Sequence, residues 1–221
     1  MRNQSLLRKA LANHFFSAVV SSALLLLAFT SPTLAADAER GEALSQTCLG
    51  CHGAPGLRNP GPVYEIPMVG GQHASYIVSA LKDYKSKARA HKTMQAQASN
   101  LSDTDMQDIA AFFAEMEGNS RPGLTDAQSA ARGEANSAVC ASCHGKTGDG
   151  DNAAYPKLAG QYESYLEQAL KEYRSGERTN AIMAGFADNL SIQEIRDLAA
   201  WYGKQEGGLT APESKIFKFT D

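Results

Sequence analysis

The sequence repeats itself, and this repeat limits the fold more than any other feature. Arg40-Gly41-Glu42-Ala43 recurs as Arg132-Gly133-Glu134-Ala135, an offset of 92 that also carries Cys48, Cys51 and His52 onto Cys140, Cys143 and His144. Further along the offset is 89, placing Pro67, Gly71-Gln72, Tyr76, Tyr84, Arg89 and Met94 on Pro156, Gly160-Gln161, Tyr165, Tyr173, Arg178 and Met183. One folding unit is therefore used twice. The change of offset falls in Gly53–Ile66 and Gly145–Tyr155, rich in Gly, Pro and polar residues, where a change of length costs little. Gly118-Asn119-Ser120-Arg121-Pro122-Gly123-Leu124 has the composition of a linker and puts the boundary near residue 120, giving units 36–120 and 121–221.

Each unit reads as helical. Residues 38–50 and 126–142 begin near an acidic N-cap and run into the cysteines. Residues 73–88 and 162–175 place apolar side chains at helical spacing, and a third helix starts at Ser102 or Ser191. No run alternates well enough for a strand, so the expected class is all-α. A unit of this size with long loops buries too little surface to be stable alone, which calls for a bound group to complete its core.

The N-terminus carries Arg2, Arg8 and Lys9, then an uncharged apolar stretch from Phe15, then Ser31-Pro32-Thr33-Leu34-Ala35. This pattern predicts an export signal over residues 1–35, cleaved after Ala35 or Ala36, with an uncleaved anchor as the alternative. Cleavage removes three basic side chains and no acidic ones, moving the formal charge from -3 to -6. An acidic chain without a basic stripe excludes nucleic acid as a partner. Lys82, Lys85 and Lys87 read as a solvated face, with docking of an acidic partner as the alternative.

Exported cysteines usually pair as disulfides, but the spacing here argues otherwise. All four occur in Cys48-Leu49-Gly50-Cys51-His52 and Cys140-Ala141-Ser142-Cys143-His144, the pattern that attaches haem c. Two thiols on one helical turn can add to the two vinyl groups of one porphyrin, and the following histidine reaches the iron. His52 and His144 are thus the proximal ligand candidates. Met94 and Met183 are the distal candidates, being repeat-equivalent and placed in polar, loop-like segments between the second and third helices. Met68, Met106, Met116, His73 and His91 lack a like residue at the equivalent position or sit on a core face; both histidines read as solvated. His/Met ligation raises the potential and fills both axial positions, which favours electron transfer over catalysis. Pro67 and Pro156 shape turns or accept the free N–H of the proximal histidine. Tyr84, Tyr173, Arg89 and Arg178 belong to helix surface and core or line the haem edge and steady a propionate.

These motifs, with Pro156-Lys157-Leu158-Ala159-Gly160-Gln161, Tyr76-x12-Arg89, Tyr165-x12-Arg178 and Met183–Ser191, resemble the di-haem cytochrome c4 family across the mature chain. The resemblance implies two tandem class I cytochrome c domains with facing haems and a periplasmic, monomeric electron carrier, at most loosely associated with the membrane. Its partners would be a quinol-oxidising complex and a terminal oxidase. Gln95-Ala96-Gln97, where the second unit has Ala184-Gly185-Phe186, departs from the pattern around the first haem. Two other classes fit the motifs: a cytochrome subunit of a periplasmic dehydrogenase, and a di-haem peroxidase, for which too little chain remains to build a substrate pocket.

Overall fold

The computed structural model describes residues 35–117, 125–150 and 152–211. The expected export signal and the boundary near residue 120 lie outside them. Ten helices occur among the described residues, in two matching sets. The first half holds α1 (Ala38–Leu44), α2 (Gln46–His52), α3 (Ala74–Ser86), α4 (Lys92–Ala98) and α5 (Asp103–Ala114). The second holds α6 (Ala127–Asn136), α7 (Ala138–His144), α8 (Glu163–Ser175), α9 (Ala181–Ala187) and α10 (Ile192–Gly203).

Local sequence accounts for the ends of these helices. Ser102 and Ser191 each form a capping box with the acid three residues on, Asp105 or Glu194, which satisfies two orphan donors at once. At the end of α3, Lys87 takes the left-handed conformation (φ 67°); the equivalent after α8 is Gly176 (φ 82°), which has no Cβ to strain. The expected single helix before each histidine is instead two, broken at Ser45 (φ -84°, ψ 1°) and Ser137 (φ -80°, ψ -8°), where ψ leaves the helical value. The sequence also concealed a hairpin. β1 (Arg58–Pro60) pairs antiparallel with β2 (Val63–Glu65), and strands this short carry no readable alternation.

In both halves the first helix crosses the last at a glycine. A Cβ on Gly41 would lie 2.0 Å from the Asp108 carbonyl oxygen, and one on Gly133 1.9 Å from that of Asp197. The residue before each glycine locks the crossing. Arg40 pairs with buried Asp108, and Arg132 grips buried Asp197 with Nε and a terminal nitrogen, both at 2.8 Å. Beneath the first crossing Met106, Ile109, Ala110 and Phe113 pack with Ile77, Leu81 and Tyr84; the second half gathers a smaller cluster of Leu166, Ala199, Trp201 and Tyr202. Met106 is fully buried core, as its helical position implied.

The halves join along a seam with pseudo-twofold symmetry. The buried Gln161 amide accepts from the Met68 N–H (3.0 Å) and donates to the Met68 carbonyl (2.9 Å). Gln72 does the same at Lys157, at 2.9 and 3.0 Å. Each glutamine mimics a strand neighbour and satisfies backbone that would otherwise be buried unpaired. The hairpin adds Tyr64 packed on Tyr165 and the Glu65 N–H on Ser164 Oγ. Beyond α10 the chain returns to the first half, where Thr210 and Gly70 exchange backbone hydrogen bonds of 2.9 and 3.0 Å.

Two outcomes test this packing. Gly133→Ala should lower unfolding free energy by about 2–3 kcal/mol in denaturant titrations, since backbone rather than a pliant side chain blocks the new methyl. The Arg132 guanidinium beside Asp197 pulls its carboxyl down to about 2, so its stabilisation is complete above the unfolded value of about 4 and fades as pH falls from about 4 to 2. Asp197→Asn should flatten that part of the stability–pH curve.

Candidate cofactor site

α2 and α7 present their cysteines and histidines on one turn each, and all six side chains line a cavity of about 760 Å³ that is continuous across the seam. No disulfide joins the thiols. Burial pushes the Cys48 and Cys140 thiols up, the reverse of a nucleophilic or metal-binding thiolate. Nor does any group of three or more His, Cys, Asp or Glu side chains converge among the described residues as a zinc site requires.

The two imidazoles are prepared as ligands. His52 Nδ1 lies 2.8 Å from the Pro67 carbonyl and His144 Nδ1 2.8 Å from that of Pro156, which places the proton on Nδ1 and leaves Nε2 with its lone pair. Burial also lowers the pKa of both rings, outweighing the proline carbonyls, so they are neutral at pH 7. The second of the two readings for Pro67 and Pro156 is the one observed.

Met94 and Met183 line the same cavity from α4 and α9. These segments were expected to be loop-like; they are helices of one to two turns, too short to show apolar periodicity. Their N-caps correct another expectation. His91 is not a solvated side chain: its Nδ1 accepts the Met94 N–H at 3.2 Å, the role Asn180 Oδ1 plays for Met183 at 3.0 Å. His73 is likewise engaged, with Nε2 2.9 Å from the Gly150 carbonyl across the seam.

At the centre of the cavity wall sit Arg89 and Arg178, only 5% and 6% exposed, their backbones paired in an antiparallel bridge. Each guanidinium stacks on a tyrosine of its own half, Tyr84 at 4.5 Å and Tyr173 at 4.4 Å. Each also donates to a tyrosine of the other half: Arg89 to Tyr165 and Arg178 to Tyr76, both at 2.6 Å. Burial pushes the Tyr76 phenol up, but the charges of Arg178 and Arg89 outweigh it and leave it below its ordinary value. Among the described residues no carboxylate pairs with either guanidinium. Two buried cations facing an apolar cavity demand anions from whatever fills it. A porphyrin with two carboxylates matches that demand, as it matches the thiol pairs, the neutral imidazoles and the apolar walls. The alignment of the repeat identified these arginines and tyrosines, but it gave no sign that Tyr76 and Tyr165 would be used by the opposite half.

This fold and site define tandem cytochrome c domains, and comparison with known proteins agrees. The profile of the Cytochrome c family matches residues 38–117 and again 130–203. Cytochrome c4 of Pseudomonas aeruginosa is 34% identical over 195 residues, spanning 81% of this chain and 94% of its own. The crystal structure of reduced recombinant cytochrome c4 from Pseudomonas stutzeri superposes with a TM-score of 0.66 at 32% identity, covering 80% of this chain and 100% of that one. A protein of Stutzerimonas stutzeri named thiosulfate dehydrogenase electron acceptor is 32% identical over 180 residues, 74% of this chain and 82% of its own. The chain belongs to the di-haem cytochrome c4 family. It is an electron-transfer protein with two covalently bound haem c groups, one on Cys48 and Cys51 and one on Cys140 and Cys143.

If the arginines answer haem carboxylates, Arg178→Leu should lower at least one reduction potential by on the order of tens of millivolts, because a nearby cation favours the reduced iron. Spectroelectrochemical titration reads this, and an unchanged pair of potentials would contradict it.

Proposed function

We propose that this chain is a periplasmic carrier whose irons are each closed by a histidine and a methionine, His52 with Met94 and His144 with Met183. The observation that carries the reading is that these four side chains and all four cysteines line one cavity at repeat-equivalent positions. Haem iron supplies reversible one-electron chemistry when bound. The chain's residues would tune it. Pro67 and Pro156 hold the imidazoles in the ligating tautomer, the soft thioethers of Met94 and Met183 would favour the ferrous state, and the buried arginines, steadied by their tyrosine partners, would hold the haem carboxylates. A histidine and a methionine held toward each haem would leave the iron no room for oxygen or peroxide, which suits electron transfer and not turnover of a substrate.

The same reading assigns residues 1–35 to an export signal, 36–120 and 121–221 to the two domains, and the traffic to a path from a quinol-oxidising complex to a terminal oxidase. A second reading draws on the relative named as a thiosulfate dehydrogenase electron acceptor: the chain serves as the cytochrome partner of a periplasmic dehydrogenase. Co-purification with a larger catalytic subunit separates the two.

The oxidised protein should show the weak near-infrared methionine-to-iron band at the strength expected for two haems. Met94→His and Met183→His should each halve it and lower one potential by on the order of 100 mV. A wild-type band at half strength or none would refute the assignment in one or both domains.

A further inference from the structure

The glutamine clasp across the seam falls on one particular peptide group in each half. The Pro67 carbonyl accepts the His52 Nδ1–H at 2.8 Å, and the N–H of that same peptide group, belonging to Met68, donates to Gln161 Oε1 at 3.0 Å. In the second half the group is that of Pro156 and Lys157. Its carbonyl accepts from His144 Nδ1 at 2.8 Å, and its N–H donates to Gln72 Oε1 at 2.9 Å. Each histidine is thus joined, through a single peptide group, to a glutamine of the opposite half.

The surroundings of each glutamine fix which end of its amide meets that N–H. Gln161 Oε1 also accepts the Tyr162 N–H at 3.1 Å, and Gln72 Oε1 the His73 N–H at 3.0 Å. The Nε2 groups face the carbonyls of Met68 at 2.9 Å and Lys157 at 3.0 Å. Turning either amide over would set its amino group against two N–H donors and its oxygen against a carbonyl. Both side chains are buried, where such bonds are least weakened by water. Closing the seam requires only that its buried backbone groups find partners. It does not require that both glutamines grip the peptide group that anchors a histidine.

A peptide whose N–H donates a hydrogen bond shifts electron density toward its own oxygen, because that bond stabilises the charge-separated resonance form. The Pro67 carbonyl therefore pulls harder on the His52 Nδ1 proton when Gln161 is in place. An imidazole held more strongly at Nδ1–H is a more basic ligand through Nε2, and a more basic ligand favours ferric iron. Resting on the proposed ligation by His52 and His144, we infer that Gln161 and Gln72 are positioning residues that lower the reduction potential in the opposite half. Each does so by polarising the peptide group on which the other half's histidine is anchored. Neither potential is then a property of one half alone.

The test uses the mature protein with both haems attached. Gln161→Met keeps the length of the side chain and removes both amide bonds. It should raise the reduction equilibrium constant of the first haem about threefold, or about 30 mV at about 59 mV per tenfold, and leave the second unchanged. Gln72→Met should do the reverse. NMR spectra of partly oxidised samples read the two separately through their haem methyl signals. In the fully reduced protein the His52 Nδ1 proton should move upfield in Gln161→Met and the His144 Nδ1 proton should stay. Gln161→Glu keeps an oxygen on the Met68 N–H whether its carboxyl is neutral or ionised, so it should leave the first potential at or below that of wild type. Ser164→Ala removes a different seam bond, that from the Glu65 N–H at 2.9 Å, and should leave both potentials and both ring protons in place.

A first potential that fails to rise in Gln161→Met, or that rises in Gln161→Glu, would overturn the inference. So would equal movement of both potentials, or a matching shift in Ser164→Ala, since a loosened seam would then be a sufficient cause. Ring signals of His52 or His144 without a hyperfine shift in oxidised wild type would overturn the ligation reading and this inference with it. That result is distinguishable from the others because it appears in the unaltered chain.

Discussion

Two guanidinium groups buried side by side at the seam are the constraint on which the rest of the structure depends. Arg89 and Arg178 cannot be carried into an apolar wall unless something offsets their loss of hydration and their mutual repulsion. The chain supplies part of the answer in phenols from the opposite half and aromatic faces from their own; on the proposed reading, haem carboxylates would supply the rest. Neither half alone completes the environment of its own arginine. The smaller cluster in the second half, built on Leu166, Ala199, Trp201 and Tyr202, fits the same picture of cores that the cofactors complete.

The chemistry was largely legible in the sequence because covalent attachment requires an invariant local spacing. The pairs Cys48–Cys51 and Cys140–Cys143, with their histidines, needed no fold to be recognised, and the repeat singled out Met94, Met183, Pro67 and Pro156. Long amphipathic helices were equally clear. Features without a local period were hidden: the methionine-bearing helices of seven residues, the three-residue strands, and the breaks at Ser45 and Ser137. Contacts across the seam were hidden for another reason. A repeat reveals that Gln72 and Gln161, or Tyr76 and Tyr165, do the same thing, but not that each does it in the other's half. His73 and His91 were misread because a partner lacking the same residue suggested idleness, whereas the structure uses a different residue for a similar role: Tyr162 meeting the Gly56 N–H, and Asn180 capping α9.

Equivalence and divergence between the halves thus mark different demands. Where both halves keep one residue, as at the glycine crossings, the carbonyl-anchored imidazoles and the arginines, the requirement is internal and identical for each cofactor. Where they differ, as at His91 and Asn180 or at Lys87 and Gly176, different residues meet the same local need, a cap for the methionine-bearing helix or a left-handed turn.

The pairing of Thr210 with Gly70 adds a further consequence. The covalent connection after α5 joins the halves once; the returning C-terminal segment joins them again, with Leu209 fully buried on the way. A pair of domains on one tether can swing apart at that hinge. A pair held by a second contact as well re-forms each contact within it at the high effective concentration of a short tether. The spacing between haems carried by the two halves would then be fixed, and internal electron exchange would be set by distance and not by waiting for the halves to meet.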